Sequence, residues 1–368
     1  MFQRIYVSNF RCLVNFDFKL SDSPSVLLVG KNGTGKSTVR AALKIFQSIG
    51  HGITRVGRLV DRSDSFWGKW DVPMRFELEV ALRSRVFRYA LALEWPEGFR
   101  EARILEERLD VDGEPVFSRK QAEIVLPKSE GAEAQFSMDW HVVALPLIHV
   151  DVIGEFQDWL KKMILLSPVP EKMSGSSERE EQRVDENAAN WADWLFRLLS
   201  HSPAAYERMS KCVKQMQGMR DLESFRFVDA GLDTKLLKVR FNKNTEKEEL
   251  FFNSLSDGEK IAFLRALVLS ANEYDGPFFV FWDEPDHHLS PDETSQFVFG
   301  LRKGFQGAAQ IFVSSHNPET IRQFSDNNTW ILGRKSHFEP TIVRRLDELM
   351  LSPGTDLIQE LMDGEIEP

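Results

Sequence analysis

Val26-Leu27-Leu28-Val29-Gly30-Lys31-Asn32-Gly33-Thr34-Gly35-Lys36-Ser37-Thr38 decides how the chain is read. The apolar run Val26 to Val29 predicts a buried strand. Gly30 to Ser37 then fits the phosphate-loop pattern G-x-x-x-x-G-K-[ST]. Val39, Leu43 and Phe46 follow at helical spacing, so a helix begins where the loop ends. The glycines let consecutive backbone N–H groups turn inward around phosphate oxygens, and the helix start adds its positive dipole end. Asn32, Gly33, Thr34, Gly35 and Thr38 are the loop's remaining candidate contacts. Lys36 is placed to reach β- and γ-phosphates, and the Ser37 hydroxyl to ligate Mg²⁺.

Composition bounds the rest. The 368 residues are 42% hydrophobic and 28% charged, enough for one large domain or a core with an inserted lobe. A net charge of −10 argues against a nucleic-acid footprint spread over the whole surface, while leaving room for a local basic strip. Cys12 and Cys212 have no metal-type spacing and suggest no disulfide framework, which fits a reducing cytoplasm. The opening Met1-Phe2-Gln3-Arg4-Ile5 lacks a signal-peptide core, and no apolar run approaches a membrane span.

In order along the chain, residues 2–8 and 16–20 alternate as strands. Residues 50–71 form a connection made basic by Arg55, Arg58, Arg62 and Lys69. Residues 73–128 read as antiparallel, with Asp112-Gly113 as a hairpin turn. Phe156, Trp159, Leu160 and Met163 predict a helix over 150–166. Residues 167–190 break pattern with prolines, serines and dense charge, as a mobile loop would. Two amphipathic helices follow, carried by Trp191 to Leu199 and Tyr206 to Met216. Strands resume at 225–228 and 236–241. A helix after Asn253 to Lys260 puts Ile261, Leu264, Val268 and Ala271 on one face. Pro277 to Trp282 and Ile311 to Val313 read as buried parallel strands. Final strands are expected at 329–333 and 341–343, and a short helix over 349–362. The fold class is therefore α/β, a mixed sheet with an antiparallel β lobe and an inserted helical lobe. Residues 1–70 and 225–368 make the core, 71–150 the β lobe and 151–224 the helical insertion.

Four elements carry the chemistry. After the phosphate loop comes Leu255-Ser256-Asp257-Gly258-Glu259, where a serine and a glycine at a helix start form a second anion cap. Read locally, this is only an ordinary N-cap. Asp283 ends an apolar strand and can hold Mg²⁺. Glu284 projects differently and can polarise an attacking water. His316 stands on the loop after the next buried strand; alone it is better read as structural. The order of the four outweighs each by itself.

That order resembles the ABC-type ATPases of the SMC, RecF and OLD group. Ile5 to Arg11 is similar to the group's first strand and Asn-Phe-Arg turn. Gly30 to Thr38 matches its Walker A form, Leu255 to Glu259 its signature, Phe278 to Glu284 its Walker B strand, and His316 its switch histidine. Asp283-Glu284-Pro285 with His288-Leu289-Ser290-Pro291 is similar to the OLD-like branch. The resemblance implies an ABC-type ATPase head that uses ATP and Mg²⁺, with Glu284 as general base and His316 sensing the γ-phosphate. It implies a head-to-tail homodimer or larger assembly, Ser256 and Gly258 of one copy capping the γ-phosphate held on Lys36 of the other. By the same carry-over Asn9 and Arg11 touch the nucleotide. The glutamine-loop residue is not identifiable, residues 70–250 lack the long coiled coil of SMC proteins, and the stretch after His316 is too short for the OLD nuclease domain. Two functions stay open: an ATPase switch for a separate effector, a nuclease or toxin, in anti-phage defence, or a RecF-like ATPase that binds DNA in repair.

Overall fold

Phe76, Leu78 and Val80 alternate with charged residues, and they line the buried face of the strand Met74–Leu82. The computed structural model describes residues 1–20, 23–127, 134–243 and 246–349. It divides into two units, residues 1–23, 29–163 and 330–368 in the first, 24–28 and 164–329 in the second.

The first unit holds an antiparallel sheet of eight strands. In sheet order they are Phe16–Lys19, Phe2–Ser8, Met74–Leu82, Arg85–Glu94, Arg103–Val111, Glu114–Lys120, Glu123–Leu126 and Ala134–Ser137. The Asp112-Gly113 hairpin is present, with both residues at positive φ (53° and 89°), as a tight two-residue turn requires. The phosphate-loop helix Lys36–Gly50 and the helix Asp151–Lys161 supply aromatic partners for this sheet. Phe46 meets Phe76 and Tyr89 at centroid distances of 6.5 and 6.1 Å, and Phe156 stacks on Phe87 at 5.7 Å. A Cβ on Gly50 would lie 2.5 Å from the Leu160 Cβ, so the bare glycine is what lets the two helices approach. The strand Thr329–Gly333 pairs antiparallel with Ile342–Arg345.

The second unit is built on a parallel sheet. Ile164–Leu166 pairs with Phe279–Asp283, which pairs with Gln310–Ser315, and the wholly buried Ser25–Val29 lies next in the order. The helix Asp257–Tyr274 runs beside it with every residue from Lys260 to Ala271 buried. Trp191, Phe225 and Phe252 close on Phe263 of this helix at 5.5 to 6.3 Å.

Several expectations need correction. The helix expected over 150–166 ends at Lys161, and 164–166 is a buried strand: four apolar residues from Met163 to Leu166 suit either state, and pairing with Val280 to Trp282 selects the strand. The helix after the Ser256 cap is buried all round, not on one face. Residues 167–190 contain a short strand and are tied down by Ser167 N–H to the Glu186 carbonyl (2.7 Å), Val169 N–H to Asn187 (3.0 Å) and Trp191 Nε1 to Ser174 (2.7 Å). The strand Glu246–Phe251 and the helix Pro291–Gly304 were not anticipated. The helix expected over 349–362 falls outside the described residues, apart from Leu349. No helix among the described residues is long and apolar enough to cross a membrane.

One polar network lies inside the first unit. Glu107, fully buried, accepts from the backbone N–H groups of Ala144 (2.8 Å) and Leu145 (2.9 Å) and from the Tyr89 hydroxyl (2.9 Å). Arg119 approaches it at 3.6 Å and donates to the carbonyls of Gln121, Asp139 and Val142. Burial pushes the Glu107 carboxyl up, against the pull of those N–H donors and of the guanidinium. Glu107→Ala should therefore cost about 3–5 kcal/mol in stability, because it strands a buried cation and two amide donors. Glu107→Gln, which keeps an acceptor, should cost less. Chemical denaturation of the two variants measures this, and equal small losses would contradict it.

Candidate functional site

The phosphate loop is shaped by two glycines. Gly33 has φ +84° and Gly35 φ +106°, both in the region where a side chain is strained. Thr34 N–H and Thr34 Oγ1 both donate to the Lys31 carbonyl, closing the loop's tip. Gly35 is the N-cap of the helix Lys36–Gly50 and receives Thr38 N–H (2.9 Å) and Val39 N–H (3.0 Å) on its carbonyl. This helix start has no side-chain cap and no acidic residue in its first turn. Such a terminus presents backbone donors and a positive dipole end to an anion. Lys36, only 5% exposed, points its Nζ into the loop and donates to the Gly30 carbonyl at 2.6 Å. Lys31, Asn32, Gly33 and Ser37 are exposed.

The loop is braced from two directions within its own unit. Thr341 Oγ1 donates to the Thr34 carbonyl (2.7 Å), and Thr341 N–H to the Cys12 carbonyl (2.8 Å). Cys12 Sγ lies 3.5 Å from Thr38 Oγ1. Neither Cys12 nor Thr341 was singled out from sequence, since only the fold brings them to the loop.

The turn Asn9-Phe10-Arg11 makes structural contacts within its own unit. Asn9 is buried at positive φ, and its amide nitrogen donates to the carbonyls of Lys69 (2.9 Å) and Val72 (2.5 Å). The side-chain amide of Asn9 thus holds residues 69–72. Arg11 pairs with Asp64 at 2.9 Å and lies over the Phe10 ring.

The second unit carries the acidic groups. The parallel register pairs Asp283 with Ser314. Ser314 Oγ donates to Asp283 Oδ1 and receives the Glu284 N–H at 3.3 Å, while the Ser314 carbonyl receives the same N–H at 3.0 Å. Asp283 is buried, at 7% exposure. Glu284 turns into the left-handed region at φ +47°, so its side chain leaves the strand's direction. Its Oε1 lies 3.1 Å from His316 Nδ1 and its Oε2 3.1 Å from His287 Nε2. Asp286, 4% exposed, accepts from the hydroxyls of Ser315 and Thr320 and so ties the turn after Glu284 to the next strand. His287 and Ser314 carried no sequence signal of their own.

Ser256 caps the helix Asp257–Tyr274 through a reciprocal box with Glu259. Its hydroxyl donates to Glu259 Oε2 (2.8 Å), and its backbone N–H donates to the same oxygen (2.7 Å). A Cβ on Gly258 would meet the His288 carbonyl at 3.0 Å, and His288 Nδ1 is 3.7 Å from Asp257 Oδ2. The Leu-Ser-x-Gly-Glu stretch therefore abuts the turn that follows Glu284. Lys36 and its loop belong to the first unit; Asp283, Glu284, His316, Ser256 and Gly258 belong to the second.

Gly35→Ala is the direct test of the loop's geometry. Its Cβ would sit 2.8 Å from Thr341 Oγ1 and 2.9 Å from Cys12 Sγ at an unfavourable φ. Stability should fall by about 2 kcal/mol or more, read as a lower melting temperature; an unchanged melting curve would refute the assignment of strain.

Family models match at both ends of this arrangement. One described as an AAA ATPase domain matches residues 1–62, and one described as AAA domain, putative AbiEii toxin, Type IV TA system matches residues 160–322. No curated protein sequence matches. Among solved structures, an SMC head bound to the C-winged helix domain of ScpA aligns with a TM-score of 0.56 at 13% identity, covering 94% of this chain and 98% of that one. The SMC head domain from Thermotoga maritima gives 0.50 at 13% identity, over 94% and 98% of the two chains. An SMC head with an extended coiled coil, bound to the C-terminal domain of ScpA derived from Pyrococcus furiosus, gives 0.51 at 11% identity, over 94% and 97%. The first family match contains the phosphate loop and the second contains Ser256, Asp283, Glu284 and His316. The chain thus shares the fold of SMC head domains, and AAA-type ATPase domain models match the stretch with its phosphate loop and the stretch with its acidic strand end.

Proposed function

We propose that this chain binds ATP with Mg²⁺, hydrolyses it, and works as two copies meeting head to tail. Glu284 carries the reading: a carboxylate at the end of a buried strand, beside the buried Asp283 and in contact with His316. In this reading Glu284 orients and deprotonates the attacking water, Lys36 neutralises charge on the β- and γ-phosphates, and His316 meets the γ-phosphate. Asp283 and the Ser37 hydroxyl would hold Mg²⁺, which supplies charge neutralisation at the phosphates. One carboxylate and one hydroxyl suit that ion, which keeps several waters and leans on substrate phosphates.

Ser256 and Gly258 would cap the γ-phosphate held by Lys36 of the other copy. Ser256 has one hydroxyl proton, now given to Glu259. Closure would redirect that proton to phosphate, while the Ser256 backbone N–H keeps Glu259 in place.

We assign the cycle to control of a separate effector, a nuclease or toxin, in anti-phage defence within the cytoplasm. The toxin–antitoxin wording of the family that matches residues 160–322 supports this, as does the docking of ScpA domains on SMC heads of the same fold. The DNA-binding alternative is weakened by its own arginines. Arg55 pairs with Glu101 at 2.6 Å, Arg88 with Glu79 at 2.7 Å, and Arg83 and Arg85 with Glu155.

Lys36→Ala should lower ATP affinity at least tenfold, about 1.4 kcal/mol, by calorimetry, while Glu284→Gln should keep affinity and lose turnover. Equal loss of affinity in both would reassign the base. Mixing Lys36→Ala with Ser256→Arg protein should restore activity, because a mixed pair has one site free of both lesions. Turnover unaffected by Ser256→Arg alone would reject the shared site. Duplex DNA retained on a filter in an ATP-dependent manner would favour the alternative.

A further inference from the structure

We propose that His287 is a positioning residue for Glu284, holding the carboxylate oxygen that His316 does not. The inference rests on Glu284 acting as the base in the proposed hydrolysis. Each imidazole contacts a different oxygen, His316 Nδ1 on Oε1 and His287 Nε2 on Oε2, both at 3.1 Å. The two rings stand 5.8 Å apart and 80° to each other, so they approach the carboxylate from different directions.

A carboxylate gripped on one oxygen can still swing about that bond. A second grip on the other oxygen defines its plane, and with it the direction of the lone pair offered to water. Each carboxylate oxygen has two lone-pair sites, so both grips leave acceptor capacity for the water. Because a carboxylate only accepts, the facing nitrogens are the protonated ones: Nε2 on His287 and Nδ1 on His316.

The backbone is set for this contact. Glu284 is held in its left-handed conformation by Ser314, and the turn to His287 closes with His287 N–H facing the Glu284 carbonyl at 3.4 Å. The two imidazoles meet the carboxylate directly, and among the described residues no three His, Cys, Asp or Glu groups are arranged to hold a metal ion. A purely stabilising role is a poor fit. The His287 side chain is 56% exposed, where an ion pair contributes little to folding.

Three variants measured side by side test the proposal. His287→Ala should fold, retain its affinity for a non-hydrolysable ATP analogue and its KM for ATP, and lose about tenfold in kcat, the effect of one oriented hydrogen bond. His287→Gln, whose amide N–H reaches the same oxygen, should recover most of that loss. Wild-type kcat in His287→Ala beside an inactive Glu284→Gln would overturn the proposal while leaving Glu284 as the base. Equal losses in His287→Ala and His287→Gln would also overturn it, since the N–H would then not be what matters. Full turnover in Glu284→Gln would instead overturn the reading of Glu284 as the base, on which this proposal rests.

Discussion

The parallel register that sets Asp283 opposite Ser314 is the constraint on which the acidic part of this molecule depends. It places a hydroxyl between a buried carboxylate and the first residue beyond the strand. Ser314 donates to Asp283 and accepts from the Glu284 N–H. A shift of one residue along the strand would send each of these side chains to the opposite face. The apolar strands are thus more than core. Their burial fixes the register, and the register aims the chemistry at their carboxyl ends, where open α/β sheets present ligands.

The two anion caps are built from opposite devices. The phosphate-loop helix begins on a left-handed glycine without a side-chain cap, which leaves its dipole end to be answered from outside. The helix after Ser256 answers its own start with a capping box. A terminus satisfied locally must give something up to bind a ligand, and one left open need not. In the proposed function the first would receive phosphate without rearrangement, and the second would have to release Glu259 first.

How much was legible depended on how local the cause was. The phosphate loop and the antiparallel strands follow from spacing within a few residues, and both appear where the pattern put them. The helix Pro291–Gly304 was missed although its signals are local, Ser290 as N-cap, Pro291 in the first turn and Glu293 completing the box. The strand Glu246–Phe251 was not legible, because a run of alternating and adjacent charges carries no apolar period; only its pairing with Lys235–Lys243 makes it a strand. Ile164–Leu166 was hidden in the tail of a helical pattern for the complementary reason, since an all-apolar run fits either state.

By itself the sequence determined which residue types could meet phosphate, metal and water, and in what order, because glycine's freedom at positive φ and the charges of Lys36, Asp283 and Glu284 are properties of the residues. It also determined the alternation that makes the β lobe. Only the tertiary structure decided that Thr341 and Cys12 brace the loop, that Asn9 holds the carbonyls of Lys69 and Val72, and that His287 shares Glu284 with His316. Those contacts join residues far apart in the chain, or hang on one left-handed residue and the rotamers around it. Neither spacing nor composition encodes such a meeting; strand register and packing do.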